Sequence, residues 1–451
     1  MIKDIQNYTN YYFLGIGGIG MSALARHFKR LGKTVLGYDK TKTILTETLE
    51  KEGIDVHYID STNYIIANNL LPENTLVIRT PAVPSHTKEW LYLQENNFNI
   101  LKRAEVLGEL GKNTFCIAIG GTHGKTTTSS IIGHLLVSAN KSCSFILGGI
   151  VENYNSNYFY NGNDILIVEA DEFDQSFLKL YPDIICITSM DADHLDIYKT
   201  KEKVIESFKD FANRLPENGI LFAKENLDLP TNFSYGVNSK TANCNAFNIQ
   251  IKEGYTEFDI NTPFGKIENI KFKILGLHNI ENAVVASSIA LKIGLTNEEI
   301  KLGLSTFNGI KRRFNQFNIK EKVYIDDYAH HPTEINAVTD SLKLHYPNKK
   351  SVGIFQPHLY SRTKDFADDF AKSLAKFDEI IILDIYPARE LPIEGITSQW
   401  LLNKVELKNK HYCTLNTVLE KLKELDFTIL VTIGAGNIDT LVEPIKKWLN
   451  D

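Results

Sequence analysis

The sequence has no run of about 18 apolar residues, so no membrane-spanning helix is expected. Its first ten residues, MIKDIQNYTN, lack the apolar stretch of a secretory leader. It has no CxxC pair. The five cysteines (Cys116, Cys143, Cys186, Cys244 and Cys413) are odd in number, and the first three lie in apolar runs. Buried free thiols in a reducing, cytosolic setting are the expectation. Nor is there an excess of positive charge. The 49 Lys and Arg against 55 Asp and Glu give a net charge of −6, which argues against a protein that binds nucleic acid through a basic face. Small anionic ligands stay open, because backbone dipoles hold them without net charge. No internal repeat or low-complexity tract is present.

What is present suffices for several ordinary cores. The 451 residues, 43% hydrophobic and 23% charged, suit a soluble α/β protein of two to four domains at roughly 100–200 residues each. YYFLGIGG reads as a strand ending in glycines, followed by a helix over 21–31, a strand at TVLGYD, a helix over 46–53 and a strand at TLVIRTPAV. That alternation predicts a parallel, helix-covered sheet. A second unit starts near Leu107, with TFCIAIGG, DILIVEAD and DIICITSM as buried parallel strands and a helix over 125–140. Residues 246–275 switch to alternation between turns, as an antiparallel appendage. HNIENAVVASSIALKIG and NEEIKLGLSTF read as helices. GIKRRF is short, basic and glycine-led, a hinge or linker, after which α/β alternation restarts. The domains expected are 1–107, 108–310 and 311–451.

The strongest motif is GGTHGKTTT at Gly120–Thr128, where a strand feeds a glycine loop that opens a helix. The N–H groups of Gly121, Thr122, His123, Gly124 and Thr127 form an anion cradle at a helix N-terminus. Lys125 can reach terminal phosphates, and the Thr126 hydroxyl suits Mg²⁺. The usual spacing is G-x₄-G-K-[ST]; here three residues separate Gly120 from Gly124, and Ile119 stands where the first glycine would be. The alternative is a plain glycine turn. Downstream, IVEAD ends a strand with Glu169 and Asp171, and DADHLD offers Asp191, Asp193, His194 and Asp196. Carboxylates at that sheet edge supply hard oxygen ligands or are simply solvated. GIGGIG, with Gly15, Gly17, Gly18 and Gly20, follows a strand and opens a helix, and Asp39 ends the next strand. By pattern alone this is a dinucleotide site, but any nucleoside diphosphate satisfies the same physics.

Further on, HNIENA places His278, Asn279 and Asn282 at a helix start, where Asn reads an adenine edge or caps the helix. KRRF gives Arg312 and Arg313. DDYAHHPTEI gives Asp326, Asp327, Tyr328, His330 and His331, with the adjacent histidines unsuited to bind one metal together. FQPHLYSRT ends a strand with His358, Tyr360 and Arg362, and a guanidinium there can fork onto a small carboxylate.

Taken in order, GIGGIGMSALA, GTHGKTTT, EADEFDQSF, DADHLDIY, HNIENA, KRRF, DDYAHHPTEI and FQPHLYSRT resemble the Mur ligase family over nearly the whole chain. GIGGIGM with DDYAHHPTE narrows the likeness to the alanine-adding branch and its close relative. The resemblance implies three domains: a Rossmann-like N-terminal domain, a central P-loop ATPase-like sheet and a C-terminal Rossmann-like domain. It implies ATP and Mg²⁺ as cofactors, UDP-N-acetylmuramate and L-alanine as substrates, and amide formation through an acyl-phosphate. By the same resemblance, Gly15, Gly17, Gly18, Gly20 and Asp39 hold the UDP part, which replaces the dinucleotide reading. Lys125, Thr126, Glu169 and His194 serve ATP and metal, and His278, Asn279 and Asn282 face adenine. Arg313, Asp327 and Tyr328 close on nucleotide and amino acid, with His358 and Arg362 near the amino acid's carboxylate. Lys125, His194, Arg313 and Asp327 are then the catalytic candidates, with His194 or an Asp of the DDY loop as base for the amine. One departure stands out: many family members carry arginine after the histidine of FQPH, where this chain has Leu359. Other readings are a ligase that attaches a preformed tripeptide to the same sugar nucleotide, a nicotinamide-dependent oxidoreductase built on GIGGIG, and a non-catalytic nucleotide-binding regulator. The oxidoreductase leaves GTHGKTTT unexplained.

Overall fold

The computed structural model describes residues 4–191, 198, 200–252, 254–388 and 390–451. Three sheets organise the chain. The first contains β1 (Asn10–Leu14), β2 (Thr34–Tyr38), β3 (Asp55–His57), β4 (Thr75–Arg79) and β5 (Asn99–Lys102) in the order β3-β2-β1-β4-β5. All four pairings are parallel. The order reverses direction between β1 and β4, and a crevice opens beyond the carboxyl ends of strands at such a point. The GIGGIG loop leaves β1 there and enters the helix Ile19–Arg30.

The second sheet has ten strands: β6 (Phe115–Gly120), β7 (Cys143–Val151), β8 (Ser156–Tyr160), β9 (Ile165–Ala170), β10 (Ile184–Ile187), β11 (Ile220–Lys224), β12 (Phe233–Val237), β13 (Cys244–Lys252), β14 (Tyr255–Thr262) and β15 (Gly265–Phe272). Its order is β15-β14-β13-β12-β11-β10-β6-β9-β7-β8. Strand β6 lies between β10 and β9, parallel to both, with Gly120 level with Ile187 and Ala170. The carboxyl ends of β9 and β10 therefore flank the phosphate loop. The β7–β8 edge is antiparallel. β13, β14 and β15 are neighbours joined by two-residue connections, which permit only antiparallel hairpins. This is the expected appendage.

The third sheet runs β16 (Asn315–Ile319), β17 (Lys322–Asp327), β21 (Ile429–Ile433), β18 (Ser351–Phe355), β19 (Glu379–Ile382), β20 (Lys410–Tyr412). Only the β16–β17 pair is antiparallel. GIKRRF is more than a linker. Gly309, Arg312 and Phe314 have φ of 89°, 63° and 49°, and these left-handed residues turn the chain into β16, a strand absent from the sequence reading.

The chain divides into two compact units. One is Met1–Ile249, Glu257–Lys271 and Glu281–Asn308; the other is Gln250–Thr256, Phe272–Ile280 and Gly309–Asp451. Two of the three α/β domains share the first unit because their cores are continuous. Tyr11, Phe28 and Leu107 belong to the same buried cluster as Cys116, Ile146 and Val168. Polar contacts reinforce that seam: Arg26 Nη1 donates to Asn157 Oδ1 at 2.5 Å, and Asn157 Nδ2 donates to Ser22 Oγ at 3.1 Å. The expected boundary at 107 falls inside the helix Arg103–Gly111. All five cysteines are free and buried. Among the described residues, no helix is long and apolar enough to cross a membrane.

Candidate active site

The phosphate loop is set by two glycines and braced by β10. Gly121 has φ +135°, and a Cβ there would stand 2.1 Å from Thr188 Oγ1. Gly124, at φ +83°, precedes the first residue of the helix Lys125–Ser138. Thr188 Oγ1 donates to Gly120 O at 3.1 Å and also bonds His123 O. Ser189 Oγ accepts from His123 N at 2.7 Å and lies 2.8 Å from Thr122 Oγ1. His123 Nε2 is 3.4 Å from Asp191 Oδ2. The helix N-terminus that receives an anion is therefore shaped by Thr-Ser at the end of the neighbouring strand.

Lys125 Nζ folds back onto Gly121 O and pairs with Glu172 Oε2 at 2.7 Å. Burial opposes its charge, but Glu172, Asp171 and Glu169 outweigh that and hold the ammonium above the ordinary lysine range. Thr126 Oγ1 donates to Glu169 Oε2 at 3.0 Å, and Gly148 N donates to Glu169 Oε1 at 2.6 Å. A hydroxyl and a carboxylate oxygen side by side at the helix start suit a hard cation such as Mg²⁺. Asp171 turns elsewhere, accepting from Arg103 Nη2 at 2.8 Å and from Phe173 N at 3.1 Å. His194, Asp193 and Asp196 lie outside the described residues. Among those described, no group of three or more His, Cys, Asp or Glu forms a metal cluster.

In the first sheet's loop, Gly15 has φ +83°, and a Cβ there would meet Thr80 Cγ2 at 2.5 Å. Gly18 N bonds Gly15 O at 3.2 Å, closing a turn before the helix Ile19–Arg30, which Gly18 caps. Asp39 Oδ2 accepts from Gly17 N at 2.8 Å and Oδ1 from Thr41 N at 3.0 Å. Its carboxylate thus clamps the glycine loop. Gly20 abuts the guanidinium of Arg103, whose Nη1 is 2.2 Å from the position of a Gly20 Cβ.

The helix Leu277–Lys292 carries the three HNIENA residues. Asn282 Oδ1 accepts from Thr128 Oγ1 at 3.2 Å and is 3.0 Å from a Cβ placed on Gly124, so it backs the phosphate loop. Asn279 lies in the first turn of that helix, and its Nδ2 donates to Leu275 O at 2.7 Å. His278 packs against Gly276 in the second unit, where a Cβ on that glycine would meet its ring at 2.6 Å.

Within the second unit, both Arg312 and Arg313 lie over the Tyr328 ring, at 5.1 and 5.2 Å from its centroid. Arg313 Nη1 is 3.7 Å from Glu334. Asp327 is buried and accepts from Phe314 N and Ala329 N, each at 2.7 Å. Burial pushes its carboxyl up to about 6, against the pull of Arg313 and those N–H groups. Tyr328, His330, His358 and Tyr386 form a chain of rings with successive centroids 5.3, 6.0 and 5.7 Å apart. The adjacent histidines diverge as expected, His331 facing Phe366 and His330 facing His358. Arg362 is buried in the helix Tyr360–Asp365. Leu359, at φ +70°, caps that helix, and its N–H donates to Tyr386 O at 2.9 Å.

Sequence reasoning missed Glu172, Arg103 and the Thr188–Ser189 brace. A signal existed for two of them: EADE continues past Asp171 with another acid, and IICITS ends an apolar strand on two hydroxyls. Nothing local marks Arg103, because its partners are 68 and 83 residues away along the chain.

Family models match three stretches of the chain: the Mur ligase family, catalytic domain over residues 10–114, the Mur ligase middle domain over 119–290, and the Mur ligase, glutamate ligase domain over 312–434. A UDP-N-acetylmuramate–L-alanine ligase from Flavobacterium psychrophilum is 53% identical over 99% of this chain and 100% of its own length. A protein of the same name from Flavobacterium johnsoniae is 50% identical over 99% of each. The solved structure of UDP-N-acetylmuramate-alanine ligase from Thermotoga maritima has a TM-score of 0.81 at 26% identity, covering 97% of this chain and 99% of that one.

Proposed function

This chain belongs to the Mur ligase family of ATP-dependent ligases, and on that ground we propose that it joins L-alanine to the lactoyl carboxylate of UDP-N-acetylmuramate, releasing ADP and phosphate, as a step of peptidoglycan precursor synthesis. The observation that carries the reading is the Lys125–Glu172 pair beside the Thr126–Glu169 pair, at the start of a helix entered through a glycine loop. It supplies a fixed cation, a cation site and backbone donors for one triphosphate.

Two anions must meet, the carboxylate and the γ-phosphate. Lys125, held charged by its neighbours, offsets that repulsion and stabilises charge on the transferring phosphoryl oxygens. Thr126 and Glu169 would hold Mg²⁺, with His194 added by resemblance; the ion supplies further charge screening there. The carboxylate forms a bond to the γ-phosphorus as ADP leaves. The alanine amine then forms the amide bond to the acyl carbon, phosphate departs, and one amine proton passes to a base. Water must stay out while the acyl-phosphate exists, a task for the C-terminal domain with Arg313, Tyr328, His358 and Arg362. Asp327, whose two oxygens accept backbone N–H groups, fits a brace for the KRRF turn better than a base. On this reading the domains divide near 107 and 310, and the enzyme works in the cytoplasm, where its nucleotide substrates are.

The test is phosphate release with ATP, UDP-N-acetylmuramate and either alanine or the tripeptide L-alanyl-γ-D-glutamyl-meso-diaminopimelate, side by side. Turnover with alanine is expected. Preference for the tripeptide would reassign the substrate, and no release with any amino acid would sink the ligase reading.

A further inference from the structure

Arg103 opens the helix Arg103–Gly111, immediately after β5. Its guanidinium spans two sites. Nη2 donates to Asp171 Oδ2 at 2.8 Å. Nη1 lies against Gly20, 2.2 Å from where a Cβ would be, so any larger residue at position 20 would evict it. Gly20 is the second residue of the helix that the GIGGIG loop opens. Asp171 stands between Glu169, bonded to Thr126, and Glu172, paired with Lys125. One cation therefore bridges the first glycine loop and the strand end that holds the second. Among the described residues, Asp171 is the one ion-pair partner of this guanidinium, whose five N–H donors exceed what one carboxylate takes. Arg103 is a quarter exposed and Asp171 more than a third, so the pair borders solvent.

The substrate read for this enzyme presents anions at both ends of that interval. Its diphosphate belongs at the first loop, and its carboxylate must reach the second. A guanidinium with spare, forked donors matches either oxyanion, and a rear carboxylate that orients it raises its selectivity for that place. We propose that Arg103 is a substrate-binding residue that takes an oxyanion of the sugar nucleotide, with Asp171 as the positioning residue behind it and Gly20 kept bare to admit it. This rests on the ligase reading above.

The experiment is steady-state kinetics of the full chain with Arg103→Gln, Arg103→Lys and Gly20→Ala, together with calorimetric binding of UDP, UDP-N-acetylglucosamine and UDP-N-acetylmuramate. A charge-assisted hydrogen bond is worth about 10- to 100-fold in affinity. Arg103→Gln should raise KM for UDP-N-acetylmuramate by about that factor while KM for ATP and for alanine moves less than about threefold. Arg103→Lys should recover part of the loss. Gly20→Ala, which keeps the charge but displaces it, should reproduce the Gln phenotype. If the three ligands all weaken, the oxyanion is the diphosphate; if UDP-N-acetylmuramate alone weakens, it is the carboxylate. Either result supports the assignment. Unchanged sugar-nucleotide binding in folded Arg103→Gln, or a loss confined to ATP, overturns it while leaving the ligase reading intact. A wild-type chain with no turnover fails the ligase reading instead, and binding of the three ligands then still tests Arg103.

Discussion

Lys125 Nζ and Glu172 Oε2 are 2.7 Å apart, and the glutamate is sealed from water while the lysine is mostly so. The pair fixes a cation where phosphate is to arrive. It also makes each partner costly to remove alone, because a single substitution strands a buried charge.

Lys125→Ala should therefore fail twice. Product formation should fall at least about 100-fold, the scale for removing one transition-state donor, and stability should drop by about 3 kcal/mol. Lys125→Ala combined with Glu172→Gln separates the two effects. Thermal unfolding should recover most of the lost stability while turnover stays absent. A double variant no more stable than Lys125→Ala would show that the pair does not carry the loss.

The phosphate loop makes a second contrast. Gly121→Ala places a Cβ 2.1 Å from Thr188 Oγ1 and 2.8 Å from Ser189 N, at φ +135°. Neither neighbour can retreat without releasing the loop, so ATP binding should weaken by more than about tenfold. Gly254→Ala, at φ +79° with nothing within 4 Å, should cost only the left-handed backbone penalty of about 1 kcal/mol and leave ATP binding alone. Equal ATP affinity in the two variants would refute the steric account.

Much of this arrangement was readable before the fold. GGTHGKTTT named its own strand, loop and helix, because strand period, glycine and helix start are all local. Glu169 was legible as a strand-end carboxylate. What escaped depends on packing between distant segments. Asp171 and Glu172 follow the same strand, and only the fold shows that one turns to Arg103 and the other to Lys125. Asp39 was legible as the acid that ends the strand after GIGGIG, and only the fold shows that its oxygens accept from Gly17 N and Thr41 N. Asn279 stood at a helix start by sequence, and only the fold shows that its Nδ2 donates to Leu275 O. β16 was invisible because left-handed Arg312 and Phe314, residues that rarely adopt such φ, turn the chain into it.

Asp327 predicts a pH dependence. Its carboxyl is raised from 3.8 to about 6, first by burial and then tempered by Arg313. A carboxyl raised in the folded state binds its proton more tightly there than in the unfolded chain. Its contribution is full below about 3.9 and is lost as pH rises through about 6. Wild-type stability relative to Asp327→Asn should therefore decline between about pH 4 and pH 6, by on the order of 2–3 kcal/mol. Chemical denaturation of both proteins across that range measures it. A constant difference would mean that Asp327 titrates normally in the fold.

Leu359 offers a test of the amino-acid end. Its backbone is left-handed at φ +70° and tied to Tyr386 O through the Leu359 N–H. An arginine at that position pays the same backbone penalty as leucine, since both carry a Cβ. Leu359→Arg thus isolates the side chain. At the cap of the helix that carries Arg362, a second guanidinium adds a donor for the amino acid's carboxylate. KM for alanine should fall by about three- to tenfold, with kcat and KM for ATP little changed. Serine and glycine carry the same carboxylate, so their KM should fall in parallel and the preference among the three should hold. A KM for alanine that stays put would place the carboxylate away from this turn; a shift in preference would place the amino acid's side chain against it.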